Sequence, residues 1–384
     1  EITVTRDFSQ WAINDRNLVK LEIEKKETVS AHTKGDVQKL RSLGMPANTL
    51  ALMRSMMRQY SETGYAYFSK IRLLCWYWDN KDKIIFPINS NNELYLGNDS
   101  CDWCDYWPFF KRMSSNKYTC DLTESVLIQK LNTTEPILAI GGQSHFGHFV
   151  ANKVAALRQS RNNHKSLSMI NDLLVPPDYI ELHRRILSQM LEGNKKIFHE
   201  IPSENGIFTY TNVIIPCIDE DSDAITGMQG VLEEGDRKRK INKEKRVYIT
   251  RAEKGVNDRI YEYKKFKNSL TESGFTIVNP INYTSAERLK LIGDSSFILT
   301  DSGSCALNGL LFGNKESTIK CMIPQRVLRS CEWQIVNQLC MGFKQGTRGQ
   351  WLPLQSYEES RLNPWYDICL PPSPDEIERI LDKN

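Results

Sequence analysis

The residues best suited to chemistry gather in Asp301-Ser302-Gly303-Ser304, directly after the apolar run Phe297-Ile298-Leu299 and directly before the helical pattern Ser304–Phe312. A strand that ends in small residues and enters a helix at once leaves backbone N–H groups open. The partial positive charge of the helix end then favours an anion such as a diphosphate. Gly303 lets a ligand approach the backbone, Ser302 and Ser304 add hydroxyls, and Asn308 lies one turn on. The same residues also read as an N-capped βα turn, because Asp and Ser cap helices widely. A second anion-directed group is Arg251, which follows the strand-like Arg246-Val247-Tyr248-Ile249 and Thr250, with Arg259 and Glu262 further on. Outside the carboxyl end of a parallel strand, such an Arg is placed to grip a phosphate with two donors; elsewhere it is a solvated loop charge.

A third group is Gly141-Gly142-Gln143-Ser144-His145-Phe146-Gly147-His148, which follows the apolar Ile137–Ile140. His148 is a candidate general base, since imidazole titrates near pH ~6.5. His145 and His148 would be half of a metal site, but no second pair with ligand spacing accompanies them. Asp121 and Glu124 are further carboxylates able to take a proton. Asp221-Ser222-Asp223 has the spacing of a metal-binding acidic pair, yet its place in a longer acidic stretch reads as solvated loop. Cys101 and Cys104, with Cys120, supply too few ligands for a zinc site. The aromatics Trp76, Tyr77, Trp78, Trp103, Tyr106, Trp107, Phe109 and Phe110 could stack on sugar rings, and read first as core.

The elements that must position these groups fall into two regions. Residues 1–35 read as a strand and a loop, and Asp36–Leu43 and Asn48–Tyr60 as a helical pair broken by Gly44 and Pro46. Period-two alternation over residues 71–86, interrupted by Asp79-Asn80-Lys81-Asp82, predicts a hairpin. Ile137–Ile140 and Val213–Ile215 read as buried strands, and Phe149–Arg161 and Leu182–Leu191 as helices. Residues 221–245 form a charged linker. Beyond it, strands at 246–249, 275–278 and 297–299 alternate with helices at 260–273, 285–292 and 304–312. That order requires right-handed crossovers and predicts a doubly wound parallel sheet.

The 384 residues carry 50 basic and 47 acidic side chains, a net +3 that gives no field suited to nucleic acid. No apolar run approaches the roughly 18 residues of a spanning helix. Ten cysteines without regular spacing in a long chain read as reduced thiols rather than a disulfide framework. The expected setting is cytoplasmic, with peripheral contact at an inner membrane through the basic run 237–246 as one option.

In order, these segments resemble glycosyltransferase family 61. Gly142–Leu157 matches that family's N-Y-x-H-[FW] segment at His148, and Val213-Ile214-Ile215-Pro216 its buried strand ending in I-I-P. Ile249-Thr250-Arg251 with Arg259 and Glu262, and Gly274-Phe275-Thr276-Ile277-Val278-Asn279-Pro280, match the next two. Ser285-Ala286-Glu287-Arg288 and Asp301–Asn308 match its S-x-x-E-Q and H-G-A-G-L-x-N stretches, with Asp301 in place of His and Arg288 in place of Gln. The likeness spans roughly residues 137–325.

The resemblance implies a GT-B architecture of two Rossmann-like domains facing a cleft. Residues 1–220 would be the acceptor-side domain and 246–354 the nucleotide-sugar domain, with 355–384 offered as a segment packing back on the first. It implies an inverting transfer from a nucleotide-diphosphate sugar to a hydroxyl of a glycan or polysaccharide, with no cofactor and no bound metal. His148 and Asp301 would be catalytic, and Thr250, Arg251, Arg259, Glu287, Ser302, Gly303, Ser304 and Asn308 would hold the donor. Two other functions fit the same pattern: a ketal pyruvyltransferase of GT-B-like fold that takes phosphoenolpyruvate, and a carbohydrate-binding protein without chemistry.

Overall fold

The computed structural model describes residues 1–5, 7–27, 60–78, 82–96, 107–129, 131, 133, 135–143, 149–177, 181–191, 195–217, 240–252, 259–314, 316–324, 349–357 and 368–382. The chain divides into two compact units, one of Glu1–Glu27 with Tyr60–Ala224 and the other of Thr28–Gln59 with Ile225–Asn384. The helical pair expected at 36–60 lies outside the described residues, except that Tyr60 opens a strand.

The first unit begins with β1 (Ile2–Thr5), α1 (Phe8–Ile13) and β2 (Leu18–Glu27), where a strand and a loop were expected. Asp7 starts α1 by accepting the Gln10 N–H at 2.8 Å, and the helix buries Phe8 and Trp11 against Tyr95 and Phe68. β3 (Tyr60–Trp78) is 19 residues long and forms the predicted hairpin with β4 (Asp82–Ile88), with Arg72 opposite Ile88 and Trp78 opposite Asp82. β5 (Glu93–Tyr95), β6 (Phe110–Ser114) and β7 (Lys117–Cys120) extend the sheet beyond it. Then come β8 (Glu124–Gln129), β9 (Ile137–Ala139) and the short β10 (Gly142–Gln143). A π-helical turn (Phe149–Val154) leads into α2 (Ala155–Asn163), and β11 (Asp172–Val175), α3 (Glu181–Leu191), β12 (Ile197–Glu200) and β13 (Gly206–Pro216) complete the unit.

This unit departs from the expected Rossmann-like domain. Its strands lie in the order β12-β11-β9-β13-β3-β4-β5-β1-β7-β6, with β2 on β3, β8 on β13 and β10 on β4. The block β12-β11-β9-β13 is a run of parallel neighbours, β8 is parallel to β13 and β1 to β5, and β3 joins the block antiparallel along the whole of β13. The period-two, aromatic-rich stretch 65–78 is the physical reason: a half-buried strand of that kind accepts neighbours on both edges and extends the sheet antiparallel. Trp107, Phe109 and Phe110 are buried and pack with Phe86 and Tyr118, and partly buried Trp76 lies on Phe109, so these aromatics are core. Trp103 and Tyr106, and the side chains of Tyr77 and Trp78, lie outside the described residues.

The second unit is the doubly wound sheet that the alternating pattern predicts. β14 (Asn242–Ile249), α4 (Tyr263–Glu272), β15 (Phe275–Val278), α5 (Ser285–Ile292), β16 (Ser295–Thr300), α6 (Ser304–Phe312), β17 (Thr318–Pro324) and β18 (Gly349–Leu354) build it. All neighbours are parallel, in the order β15-β14-β16-β17-β18. The last helix, α7 (Pro374–Asp382), packs on the second unit. Its apolar face, Ile377, Ile380 and Leu381, joins the core of Tyr248, Phe266, Leu270 and Phe297, and Cys369 bridges to Ile260. An amphipathic face at helical spacing takes the nearest uncovered apolar surface, and here that surface is its own unit's.

At Gly64 in β3, φ is +137° and an added Cβ would lie 2.0 Å from the carbonyl oxygen of Glu22 on β2. Gly64→Ala should therefore lower unfolding free energy by about 2 kcal/mol or more, measured by denaturant titration.

Candidate functional site

In the second unit the chain leaves β14 towards β15 on one side and later returns to β16 on the other. The crevice outside the carboxyl ends of β14 and β16 is thus the switch point where open α/β sheets receive ligands. Ile249 pairs with Thr300 at the last rung, and the Asp301 N–H donates to the Ile249 carbonyl at 3.1 Å. Asp301 is 1% exposed. Its Oδ1 accepts the Tyr248 hydroxyl at 2.5 Å, and its Oδ2 accepts the Thr250 hydroxyl at 3.0 Å and the Arg251 N–H at 3.1 Å. Both carboxylate oxygens are thereby engaged by protein donors, which makes Asp301 a clamp between two strand ends. Asp301, expected to be catalytic, uses these contacts to join the two strand ends.

The clamp sets what stands around it. Thr250 is buried, takes the Ala252 N–H at 3.2 Å and is hydrogen-bonded to the Tyr263 hydroxyl, which fixes the first residues beyond β14. Asn279 donates to the Ala252 carbonyl at 2.5 Å and pins the same loop from the far side of β15. Arg251 follows with its side chain exposed, while Arg259 is half-buried and its carbonyl accepts the Cys369 N–H at 2.9 Å. Both guanidinium groups act on Cys305 in the first turn of α6, so Arg251, Arg259, Asp301 and Cys305 share one electrostatic neighbourhood.

Gly303 sits at φ +88° and ψ −142°, a conformation that suits glycine, with nothing within 4 Å of where a Cβ would stand. Ser302 and Ser304 flank it, both partly exposed, and the Ala306 N–H turns back to the Gly303 carbonyl at 3.0 Å. The turn therefore opens onto free space at the N-terminus of a nine-residue helix, beside two cationic side chains.

Two expected donor contacts have local duties in the fold. Glu287 accepts the Thr284 N–H at 2.8 Å and the Thr284 hydroxyl at 2.9 Å, forming a capping box with Thr284 at the start of α5, and these bonds hold its carboxyl below the ordinary range. Asn308 is buried, donates to the Ser304 carbonyl at 2.9 Å and accepts Arg288 Nη1 at 3.1 Å. Arg288 also reaches the Tyr283 carbonyl and lies 5.8 Å from the Phe312 ring centroid, so this pair ties α5 to α6. A Gln would be too short, and without charge, for that brace, which accounts for the Arg at 288.

His145 and His148 lie outside the described residues, as do Asp221 and Asp223 and the pair Cys101 and Cys104. Asp121 is exposed in the first unit, and Glu124 begins β8 with its Oε2 3.6 Å from Arg72 Nη1. Among the described residues no group of three or more His, Cys, Asp or Glu is placed to hold a metal ion. Sequence reasoning missed Tyr248, Tyr263 and Asn279. The signal for Tyr248 was a hydroxyl at the penultimate position of an otherwise apolar strand end.

Burial, and next the Asp301 charge, raises the Tyr248 hydroxyl well above its ordinary range. The Cys305 thiol is raised the same way, with Arg251 and Arg259 pulling it back in part. Burial pushes Cys321 up to about 12, with the Asp301 charge adding to it. These groups are neutral in the folded state and ionise more readily once unfolded. As pH rises past about 9 the unfolded chain binds fewer protons than the folded one, so stability should fall from there towards pH 12, read by melting at stepped pH. Asp301→Ala, which leaves the Tyr248 hydroxyl and the Arg251 N–H without their acceptor, should lower unfolding free energy by about 3 kcal/mol. Comparison of the chain with protein-family models, and with curated proteins, finds no match.

Proposed function

We propose that this protein is an inverting glycosyltransferase that takes a sugar from a nucleotide diphosphate and passes it to a hydroxyl of a glycan or polysaccharide. What supports the reading most is one arrangement: Arg251, Arg259 and the open Gly303 turn meet at the switch point of the second unit's parallel sheet. Departure of a nucleoside diphosphate places negative charge on the leaving oxygen. Two guanidinium groups and a helix N-terminus stabilise that charge, most effectively in a crevice with restricted water. In this reading Ser302 and Ser304 add donors to the phosphate oxygens, and Thr250 and Asp301 hold Arg251 in position.

The acceptor hydroxyl must lose a proton as it attacks from the opposite face. The first unit supplies that base in this reading, from His148 or from Asp121 or Glu124. The division of labour is that of a GT-B enzyme, with the donor on the second unit and the acceptor on the first. A second reading, a sugar- or nucleotide-binding protein without transfer, is favoured by the protein donors that already occupy both oxygens of the Asp301 carboxylate.

Thermal melting with UDP, GDP, CMP and phosphoenolpyruvate, with and without EDTA, separates these readings. A nucleoside diphosphate at a hundred times its Kd should add about 2.7 kcal/mol of stability. We expect that shift with UDP or GDP, surviving EDTA and lost in Arg251→Ala. A shift only with phosphoenolpyruvate would replace the reading with pyruvyl transfer. Binding without donor hydrolysis or transfer to any glycan would leave the binding protein, and no shift at all would overturn the proposal.

A further inference from the structure

On the first unit a cleft of about 200 Å³ opens over the sheet, and its walls are mostly polar. A water's share of liquid volume is about 30 Å³, so the space suits a ligand the size of one sugar ring. One row of the sheet lines it. Thr209 on β13 stands opposite Arg72 on β3, and Arg72 opposite Ile88 on β4. Lys70, two residues before Arg72, shares its face. The loop between α1 and β2 and the turn between β4 and β5 form a rim that is tied together. Asp15, 4% exposed, accepts the Asn17 N–H at 2.7 Å on one oxygen and the Ser90 N–H at 2.9 Å on the other. The Arg16 N–H donates to the Ser90 hydroxyl at 3.0 Å. Glu124, at the start of β8, completes the wall.

The polar groups of this cleft are held in place but not used up. Thr209 is 6% exposed, yet its hydroxyl has no hydrogen-bond partner among the described residues. The Lys70 ammonium and the Arg16 guanidinium likewise have none among them. Arg72 is fixed from one side, where its Nη2 donates to the Asn89 carbonyl at 2.5 Å and to Asn92 Oδ1 at 2.7 Å. Its Nη1 stands 3.6 Å from Glu124 Oε2, beyond hydrogen-bond distance, which leaves a donor and a carboxylate for a ligand.

We infer that this cleft binds a sugar acid, a ring bearing several hydroxyls and one carboxylate. Arg16, Lys70 and Arg72 face the two carboxylates of Asp15 and Glu124, which leaves one positive charge for the ligand to balance. The carboxylate of the sugar accepts from Lys70 and Arg16, while ring hydroxyls donate to Glu124 and pair with Thr209. A doubly charged phosphate ester overbalances the cleft and sets acceptor-only oxygens against Glu124. A neutral sugar leaves the cations without a counter-charge, and a plain aliphatic acid brings no hydroxyl to Glu124 or Thr209. The site lies wholly within the first unit and needs nothing from Arg251 or Gly303, so it stands or falls apart from the transferase reading.

Calorimetry and saturation-transfer NMR on the full chain test it with glucuronate, glucose, propionate and glucose phosphorylated at its primary hydroxyl. Glucuronate should bind at least tenfold more tightly than any of the other three. The double variant Arg16→Ala with Lys70→Ala, both exposed positions, should bring glucuronate down to the level of glucose. Thr209→Val, which keeps the shape and removes the hydroxyl, should weaken glucuronate and glucose alike. The comparison of the four compounds on the unaltered chain needs no variant to fold. Glucuronate binding no tighter than glucose, propionate or the phosphate ester would overturn the site, as would glucuronate affinity unchanged in the double variant.

Discussion

The carboxylate of Asp301 is the point on which the second unit turns. It receives a side-chain hydroxyl and a backbone N–H from beyond the end of one strand and a second hydroxyl from within it, while its own backbone closes the last rung. Neighbouring strand ends in a twisted sheet splay apart, and their loops would leave in unrelated directions. A buried anion shared between them fixes where both loops begin. Arg251 and the Gly303 turn are each anchored within two residues of that anion.

The same anion sets the electrostatics of the crevice. Two guanidinium groups and one carboxylate leave a net charge of one positive unit. Burial first, and the Asp301 charge after it, keep Tyr248, Cys305 and Cys321 neutral. The crevice therefore combines one buried carboxylate and two guanidinium groups with hydroxyl and thiol groups that stay neutral at pH 7.

Local chemistry was legible in the sequence and long-range chemistry was not. The bounds of β15, α5 and α6 follow from Gly274 as a stop, the Thr284–Glu287 capping box as a start and Gly303 as the entry to a helix, all short-range signals. The meeting of Arg251 with the Gly303 turn followed from parallel topology alone. The role of Asp301 did not, because its partner Tyr248 is 53 residues away and nothing local marks a hydroxyl as a donor to a distant carboxylate. The local bonds of Glu287 and Asn308 were hidden too, because polar residues near a helix start serve caps and ligands alike. In the first unit the alternation at 65–78 identified a strand but not its neighbours, so a mixed sheet could not be told from a parallel one.

The long strand β3 carries a consequence for how the chain is made. Its partners β2 and β4 emerge close to it, but Tyr65 pairs with Pro216 and Cys75 with Gly206. Synthesis proceeds at about 5–20 residues per second, so one edge of β3 waits on the order of ten seconds for its ladder. During that interval the nascent chain presents a long, aromatic-rich edge, the kind of template on which other chains pair. The yield of folded protein should thus be set by what shields that edge on the ribosome, and only afterwards by the stability of the finished sheet.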